Sequence, residues 1–329
     1  MSDFMFRFVV GADTDLGGSK LRLMALTNDN RILQLDCSNI PVMPSSFEID
    51  QSKRILYVTD ELNENAGKLI VYSIAEENKL LFLQSVETGG SNPCHVAIDR
   101  REKLLYVSHY SGGGVICYNL QGNGLIDEKP LFVMGRDKSY HCVLPLREGF
   151  IAIDSINNEL THATYSSELP DYTTTVEKIQ SPRQARYCDE KRILIVSEND
   201  SVIYIYNTET ERISIAGNTC IEKASNNKAS SIWVSKNNRT AIVSNRGEDS
   251  LVVFDIEKGD SGTLTDPKAL VIHGDRCPRD FDVSYDEEYA VVGYTKSNCV
   301  KIFRININSK EFKFIASQKV TAPIGIRIL

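Results

Sequence analysis

Pro93-Cys94-His95-Val96-Ala97-Ile98-Asp99, then Arg100-Arg101-Glu102-Lys103, then Leu104-Leu105-Tyr106-Val107-Ser108-His109 reads as two strands joined by a tight charged turn. The second run has counterparts along the chain: Leu56-Tyr57-Val58-Thr59-Asp60, Ile151-Ala152-Ile153-Asp154, Leu194-Ile195-Val196-Ser197-Glu198, Ala241-Ile242-Val243-Ser244-Asn245 and Ala290-Val291-Val292-Gly293-Tyr294. Their last residues recur every 44 to 49 positions, about 47 on average, and that period divides 329 residues seven times. A proline stands sixteen residues before four of them, at Pro44, Pro93, Pro182 and Pro278, and Ala229 takes its place before Asn245. Further short β-branched and aromatic runs, such as 69–74, 115–118, 202–206 and 300–305, fill the intervals, and no convincing amphipathic helix interrupts them.

Units of this length holding four short strands are the sequence signature of radially repeated sheets. The expected fold is all-β, a seven-bladed β-propeller with four antiparallel strands per blade, and residues 1–329 form a single propeller domain. Ala322-Pro323-Ile324-Gly325-Ile326-Arg327-Ile328-Leu329 restarts the proline-led strand and stops. The rest of that blade is available in 6–12, 20–27 and 31–37, so both termini are expected to close the last blade and cover its edges.

Composition narrows the function classes. With 42% hydrophobic and 25% charged residues the chain can bury a full core, which excludes disordered, collagen-like and disulfide-scaffold classes. A net charge of −7 gives no global field toward nucleic acid or acidic lipid. There is no signal-peptide core and no apolar run of membrane-spanning length, so the expectation is a cytoplasmic protein that meets neither membrane nor nucleic acid. The eight cysteines are scattered without a C-x-x-C pair and read as reduced thiols, not metal ligands. No metal or cofactor motif is present; Asp13-Thr14-Asp15-Leu16-Gly17 lacks the remaining ligands of a calcium loop and reads as a turn.

Antiparallel pairing places the start of each proline-led strand and the end of the next strand at the same end of the sheet. His95, His109, His141, Asp154, Arg183, Glu198, Arg246, Arg279 and Lys296 therefore converge on one mouth of the expected channel. His162 and His273 read as surface-loop residues.

Gly89-Gly90-Ser91-Asn92-Pro93-Cys94-His95-Val96-Ala97-Ile98-Asp99, the run from Leu104 to Tyr110, and Gly113-Gly114-Val115-Ile116-Cys117-Tyr118 resemble the seven-bladed lactonase family. That family includes propeller-type 6-phosphogluconolactonases and 3-carboxy-cis,cis-muconate cyclases. Ser181-Pro182-Arg183, Ser197-Glu198-Asn199, Asn245-Arg246 and Pro278-Arg279-Asp280-Phe281 extend the resemblance over five or six blades. It implies functional roles for His141, Arg183, Glu198 and Arg246 and a further family arginine at Arg279. Gln184 and Trp233 depart from the pattern, and each removes a titratable group from near the mouth.

The residue types suit an anionic lactone. Arginines supply bidentate donors for a phosphate or carboxylate and for a developing oxyanion, and Glu198 or His141 supplies a base for water. His95, His109, Asp154, Arg279 and Lys296 are the expected substrate contacts, and the expected partner is a small anionic substrate. The leading expectation is hydrolysis of 6-phosphogluconolactone to 6-phosphogluconate in the oxidative pentose phosphate pathway. A carboxymuconate-type cycloisomerase needs the same arginines, and a propeller that binds a partner or metabolite without catalysis is the third reading.

Overall fold

Runs of β-branched and aromatic residues fold as short strands, and left-handed residues such as Asn78 (φ 59°), Asn158 (φ 58°) and Asn238 (φ 56°) turn the chain between them. The structure, a computed structural model, describes residues 4–12, 20–41, 43–62, 66–101, 103–166, 171–220, 226–257, 263–271 and 275–329. Blade 1 comprises Pro44–Asp50, Ile55–Asp60, Lys68–Ile74 and Leu80–Glu87; blade 2, Pro93–Asp99, Leu104–His109, Val115–Asn119 and Phe132–Met134. Blade 3 comprises Tyr140–Leu146, Gly149–Asp154, Glu159–Tyr165 and Tyr172–Lys178; blade 4, Pro182–Tyr187, Arg192–Ser197, Val202–Asn207 and Arg212–Asn218. Blade 5 comprises Ala229–Val234, Thr240–Asn245, Ser250–Ile256 and Leu264–Val271; blade 6, Pro278–Val283, Tyr289–Tyr294, Cys299–Asn306 and Glu311–Lys319. Blade 7 is ordered Pro323–Ile328, Phe4–Ala12, Leu21–Thr27, Ile32–Ser38, so both ends of the chain contribute to it. Seven sheets of four antiparallel strands make this a seven-bladed β-propeller, and the 3₁₀ turn Thr295–Ser297 is the one helical element among the described residues.

The strands form two compact units, one of Met1–Leu26, Leu33–Lys178 and Leu329, the other of Thr27–Ile32 and Ile179–Ile328. In the first, Tyr57 and Val71 of blade 1 pack on Leu105, Val107 and Tyr118 of blade 2, and Tyr106 of blade 2 packs on Phe150 of blade 3 with ring centroids 5.1 Å apart. In the second, Leu194 and Val196 of blade 4 pack on Val243 and Val252 of blade 5, whose Ile242 and Val253 meet Val292 and Phe303 of blade 6. Because neighbouring blades cover both faces, second strands such as Thr240–Asn245 and Tyr289–Tyr294 are buried at every residue, and their centres, Ala241-Ile242-Val243 and Ala290-Val291-Val292, read as unbroken apolar runs. The outermost strand Tyr172–Lys178 is exposed at all but its first residue.

The first strands share an opening device. Asn92, Ser181, Cys277 and Ala322, each directly before a proline, are left-handed, with φ of 53°, 44°, 63° and 40°. Pairing then skips one residue: Pro182 faces Ser197 but Gln184 faces Val196, Pro278 faces Tyr294 but Asp280 faces Gly293, and Pro93 faces His109 but His95 faces Ser108. In blade 3 Tyr140 faces Asp154 and Cys142 faces Ile153. The skipped residues are Arg183, Arg279, Cys94 and His141. A bulge releases a residue from the ladder and re-aims its side chain, and it does so here at three residues singled out in the sequence.

One expectation is corrected. His162 is not in a surface loop: it lies in the third strand of blade 3, buried, paired across to Ile151 and Thr175. His273, Glu102 and the Asp13–Gly17 turn lie outside the described residues. All eight cysteines are free thiols, four of them buried. Among the described residues no helix is long and apolar enough to cross a membrane.

Candidate active site

Blades 4 and 5 bring three of the candidates into contact. Glu198 is the first residue after the strand Arg192–Ser197; its N–H donates to Ser181 O at 2.8 Å and its carbonyl accepts from Ala229 N at 3.1 Å. Arg246 likewise follows Thr240–Asn245, anchored by its N–H to Lys228 O at 2.8 Å. With both backbones fixed, the Glu198 carboxylate bridges two guanidiniums: Oε2 accepts from Arg183 Nη1 at 2.8 Å and Oε1 from Arg246 Nη2 at 2.5 Å.

Burial alone would raise the Glu198 carboxyl, but Arg183 and Arg246 outweigh it and hold the group down at about 2. It is therefore ionised at neutral pH. Arg246 is lowered from its ordinary value, first by burial and then by Arg183, with Glu198 opposing and Arg279 adding a smaller push. A guanidinium remains protonated under such shifts, so three cations share one counter-ion. Arg279 is partly buried and has no carboxylate partner among the described residues; its carbonyl accepts from Ser230 Oγ at 2.6 Å. The Nε–H groups of Arg183 and Arg246 are buried and find no acceptor among the described residues. Unused buried donors are costly unless something accepts from them.

The other candidates are held differently. His141 occupies the bulge of blade 3, buried, its ring edge-to-face with Tyr110 at 5.7 Å. His95 is buried with Nε2 3.8 Å from Cys142 Sγ. His109 is fully buried: Nδ1 lies 3.1 Å from Gly114 O and Nε2 2.8 Å from Thr88 Oγ1, and burial drives its pKa down to about 4. Gly90 fits against this ring because a Cβ there would stand 2.4 Å from His109 Cδ2. Asp154 is also fully buried, and its oxygens accept from Ser139 N, Ile156 N, Asn157 N and Asn157 Nδ2 at 2.7 to 3.2 Å, which ties down the turn that follows it. Lys296 is exposed in the 3₁₀ turn after blade 6's second strand. Trp233 is partly buried and packs against the blade 5–6 core.

Of a polar row next to the arginines, Gln184 alone was singled out in the sequence, as a departure from the family pattern. Ser231 Oγ lies 3.2 Å from Gln184 Oε1 and 2.8 Å from Asp280 Oδ1, and Asp280 Oδ2 accepts from Ile326 N at 2.8 Å. Each row residue comes directly after Arg183, Ser230 or Arg279. The available signal was a polar residue two positions into an otherwise strand-like run, as in Pro278-Arg279-Asp280.

The family model for "Lactonase, 7-bladed beta-propeller" matches residues 7–141 and 155–328. The chain is 22% identical over 310 residues to a 6-phosphogluconolactonase of Bacillus subtilis (strain 168), covering 87% of each protein. It is 22% identical over 309 residues to a 6-phosphogluconolactonase of Formosa agariphila, covering 85% of this chain and 86% of that one. Among solved structures, a periplasmic gluconolactonase of Pseudomonas aeruginosa superposes with a TM-score of 0.87 at 18% identity, over 98% of this chain and 99% of the other. The match runs from blade to blade through the bulges that carry Arg183 and Arg279, and the chain belongs to the seven-bladed β-propeller lactonase family.

Proposed function

We propose that this protein hydrolyses 6-phosphogluconolactone to 6-phosphogluconate in the cytoplasm, and that Arg183, Glu198, Arg246 and Arg279 form the anion-reading part of its active site. The observation that carries this reading is the imbalance of charge in blades 4 to 6: three guanidiniums against one carboxylate leave two positive charges uncompensated within the cluster. A phosphate dianion matches that surplus, and each charge-assisted hydrogen bond to it contributes roughly 1.5 to 3 kcal/mol. The names of the relatives point to the same substrate class.

In the reaction a water adds to the lactone carbonyl, an oxyanion forms, the ring C–O bond breaks and the leaving oxygen takes up a proton. The buried Nε–H donors of Arg183 and Arg246 suit an oxygen on which charge is developing. Glu198, ionised and clamped, is a weak base at rest; its first task is to hold two mutually repelling guanidiniums in place. It gains basicity when a substrate oxygen draws those guanidiniums away. His141's bulge position in blade 3 is the counterpart of Arg183's in blade 4.

The test is a coupled assay in which the phosphogluconolactone is generated in situ and 6-phosphogluconate is followed through its dehydrogenase. The wild type should exceed spontaneous hydrolysis, with Arg183→Ala and Glu198→Gln reduced by about 100-fold or more. Equality of all three with the spontaneous rate removes the assignment.

A further inference from the structure

Ser231 Oγ stands between two acceptor oxygens, Asp280 Oδ1 at 2.8 Å and Gln184 Oε1 at 3.2 Å. A hydroxyl has one hydrogen and cannot donate to both. The count closes if Asp280 carries a hydrogen itself. Its Oδ1–H then donates to Ser231 Oγ, Ser231 donates to Gln184 Oε1, and Oδ2 accepts from Ile326 N at 2.8 Å.

We infer that Asp280 keeps its proton well above the ordinary carboxylate range, and that the row Asp280–Ser231–Gln184 is a positioning array that fixes the bulged segments carrying Arg183 and Arg279. The positioning half rests on the lactonase reading above; the proton half does not. Each row residue directly follows Arg279, Ser230 or Arg183, and Ser230 Oγ also ties down the carbonyl of Arg279.

Burial is the largest influence on Asp280; it outweighs the hydrogen bonds from Ile326 N and Ser231, which lower the group, and lifts it to about 6, with like-charged Asp282 on the same strand adding a smaller push upward. Arg186 on blade 4 opposes, but its Nη1 is engaged by Ala185 O at 3.0 Å. Arg327 on the Pro323–Ile328 strand faces Asp282 at 4.0 Å. The strand between them, Ala229–Val234, brings no charged residue.

Asparagine mimics the neutral acid, with Nδ2–H as donor to Ser231 and Oδ1 as acceptor from Ile326. The experiment is urea unfolding of the wild type and Asp280→Asn from pH 4 to 7.5. A folded-state proton retained to about pH 6, against about 3.8 in the unfolded chain, makes the wild-type folding constant fall about 100-fold across that window relative to Asp280→Asn. The variant should equal or exceed the wild type at pH 7.5. A difference that stays flat from pH 4 to 6, with Asp280→Asn destabilised at pH 7.5, overturns the neutral acid and fits a Gln184 amide turned to donate to Ser231.

Positioning is read by kinetics. Asp280→Ala should raise KM for the lactone about tenfold with little change in kcat, and Asp280→Asn should restore it. Ser231→Ala, which removes only the central hydroxyl, should show the same KM effect if Asp280→Ala fails to fold. Wild-type kinetics in both overturn the positioning role. Absence of lactonase activity in the wild type defeats the lactonase reading, while the urea comparison still decides where the proton is.

Discussion

Replacing Glu198 by glutamine removes the charge that holds the Arg183 and Arg246 guanidiniums together. The side chain keeps its size, but its amide offers an acceptor to one guanidinium and only N–H donors to the other. Arg183 and Arg246, each more than four-fifths buried in the side chain, are then left as like charges without a counter-ion. The magnitude follows from the carboxyl itself: a group at about 2 in the fold and 4.5 when free contributes about 3 kcal/mol at neutral pH. Removing one partner of a buried pair costs a comparable 3 to 5 kcal/mol or so. The sign sets the pH window. The contribution is fully present above pH 4.5 and is lost as the pH falls through about 2. Urea unfolding of both proteins from pH 7 down to 3 should therefore give a difference of about 3 kcal/mol that holds to about pH 4.5 and shrinks below it, seen as a lower midpoint at unchanged slope. Sulfate should recover stability in the variant more than in the wild type by taking the place of the missing carboxylate. A difference below about 1 kcal/mol that does not vary with pH would refute the clamp, because it is the size expected of an exposed ion pair.

Arg279→Leu should leave unfolding stability within about 0.5 kcal/mol, since no ion pair is broken, and weaken binding of 6-phosphogluconate in calorimetric titration by at least about tenfold. Relative to His109→Gln, the wild type should lose about 3 kcal/mol of stability between pH 6.5 and 4, because the unfolded ring takes a proton that the buried ring refuses. Asp154→Ala strands the N–H groups of Ser139, Ile156 and Asn157 and should cost about 2 to 4 kcal/mol in chemical denaturation, with kcat of the folded variant little changed.

The fold was legible because its period is written in residue types that recur from blade to blade, with Tyr140 and Ala229 standing where the other first strands begin with proline. Proline opens a strand after a left-handed residue, and continuous apolar runs mark strands covered on both faces. Arg183, Glu198 and Arg246 were legible for the same reason, since alignment of the repeats places them at equivalent blade ends. Asp154 and His109 stand at equivalent ends too, yet the following turn consumes Asp154's oxygens and Gly114 and Thr88 engage the His109 ring. Sequence position locates the end of a strand but not the direction of the next turn's N–H groups. Lys296 shows the same limit, because a 3₁₀ turn carries it to an exposed place. The row through Ser231 was hidden for another reason: it is built across three first strands and depends on bulges, which shift every later side chain by one position.

The ratio of kcat/KM for phosphogluconolactone over unphosphorylated gluconolactone, in the wild type and in Arg279→Leu, reports whether the arginine cluster reads the anion of a sugar lactone. The wild type should prefer the phosphorylated lactone by about 100-fold or more, and the preference should fall at least tenfold in the variant. Equal rates on the two lactones, or a preference that survives the loss of Arg279, would contradict that reading.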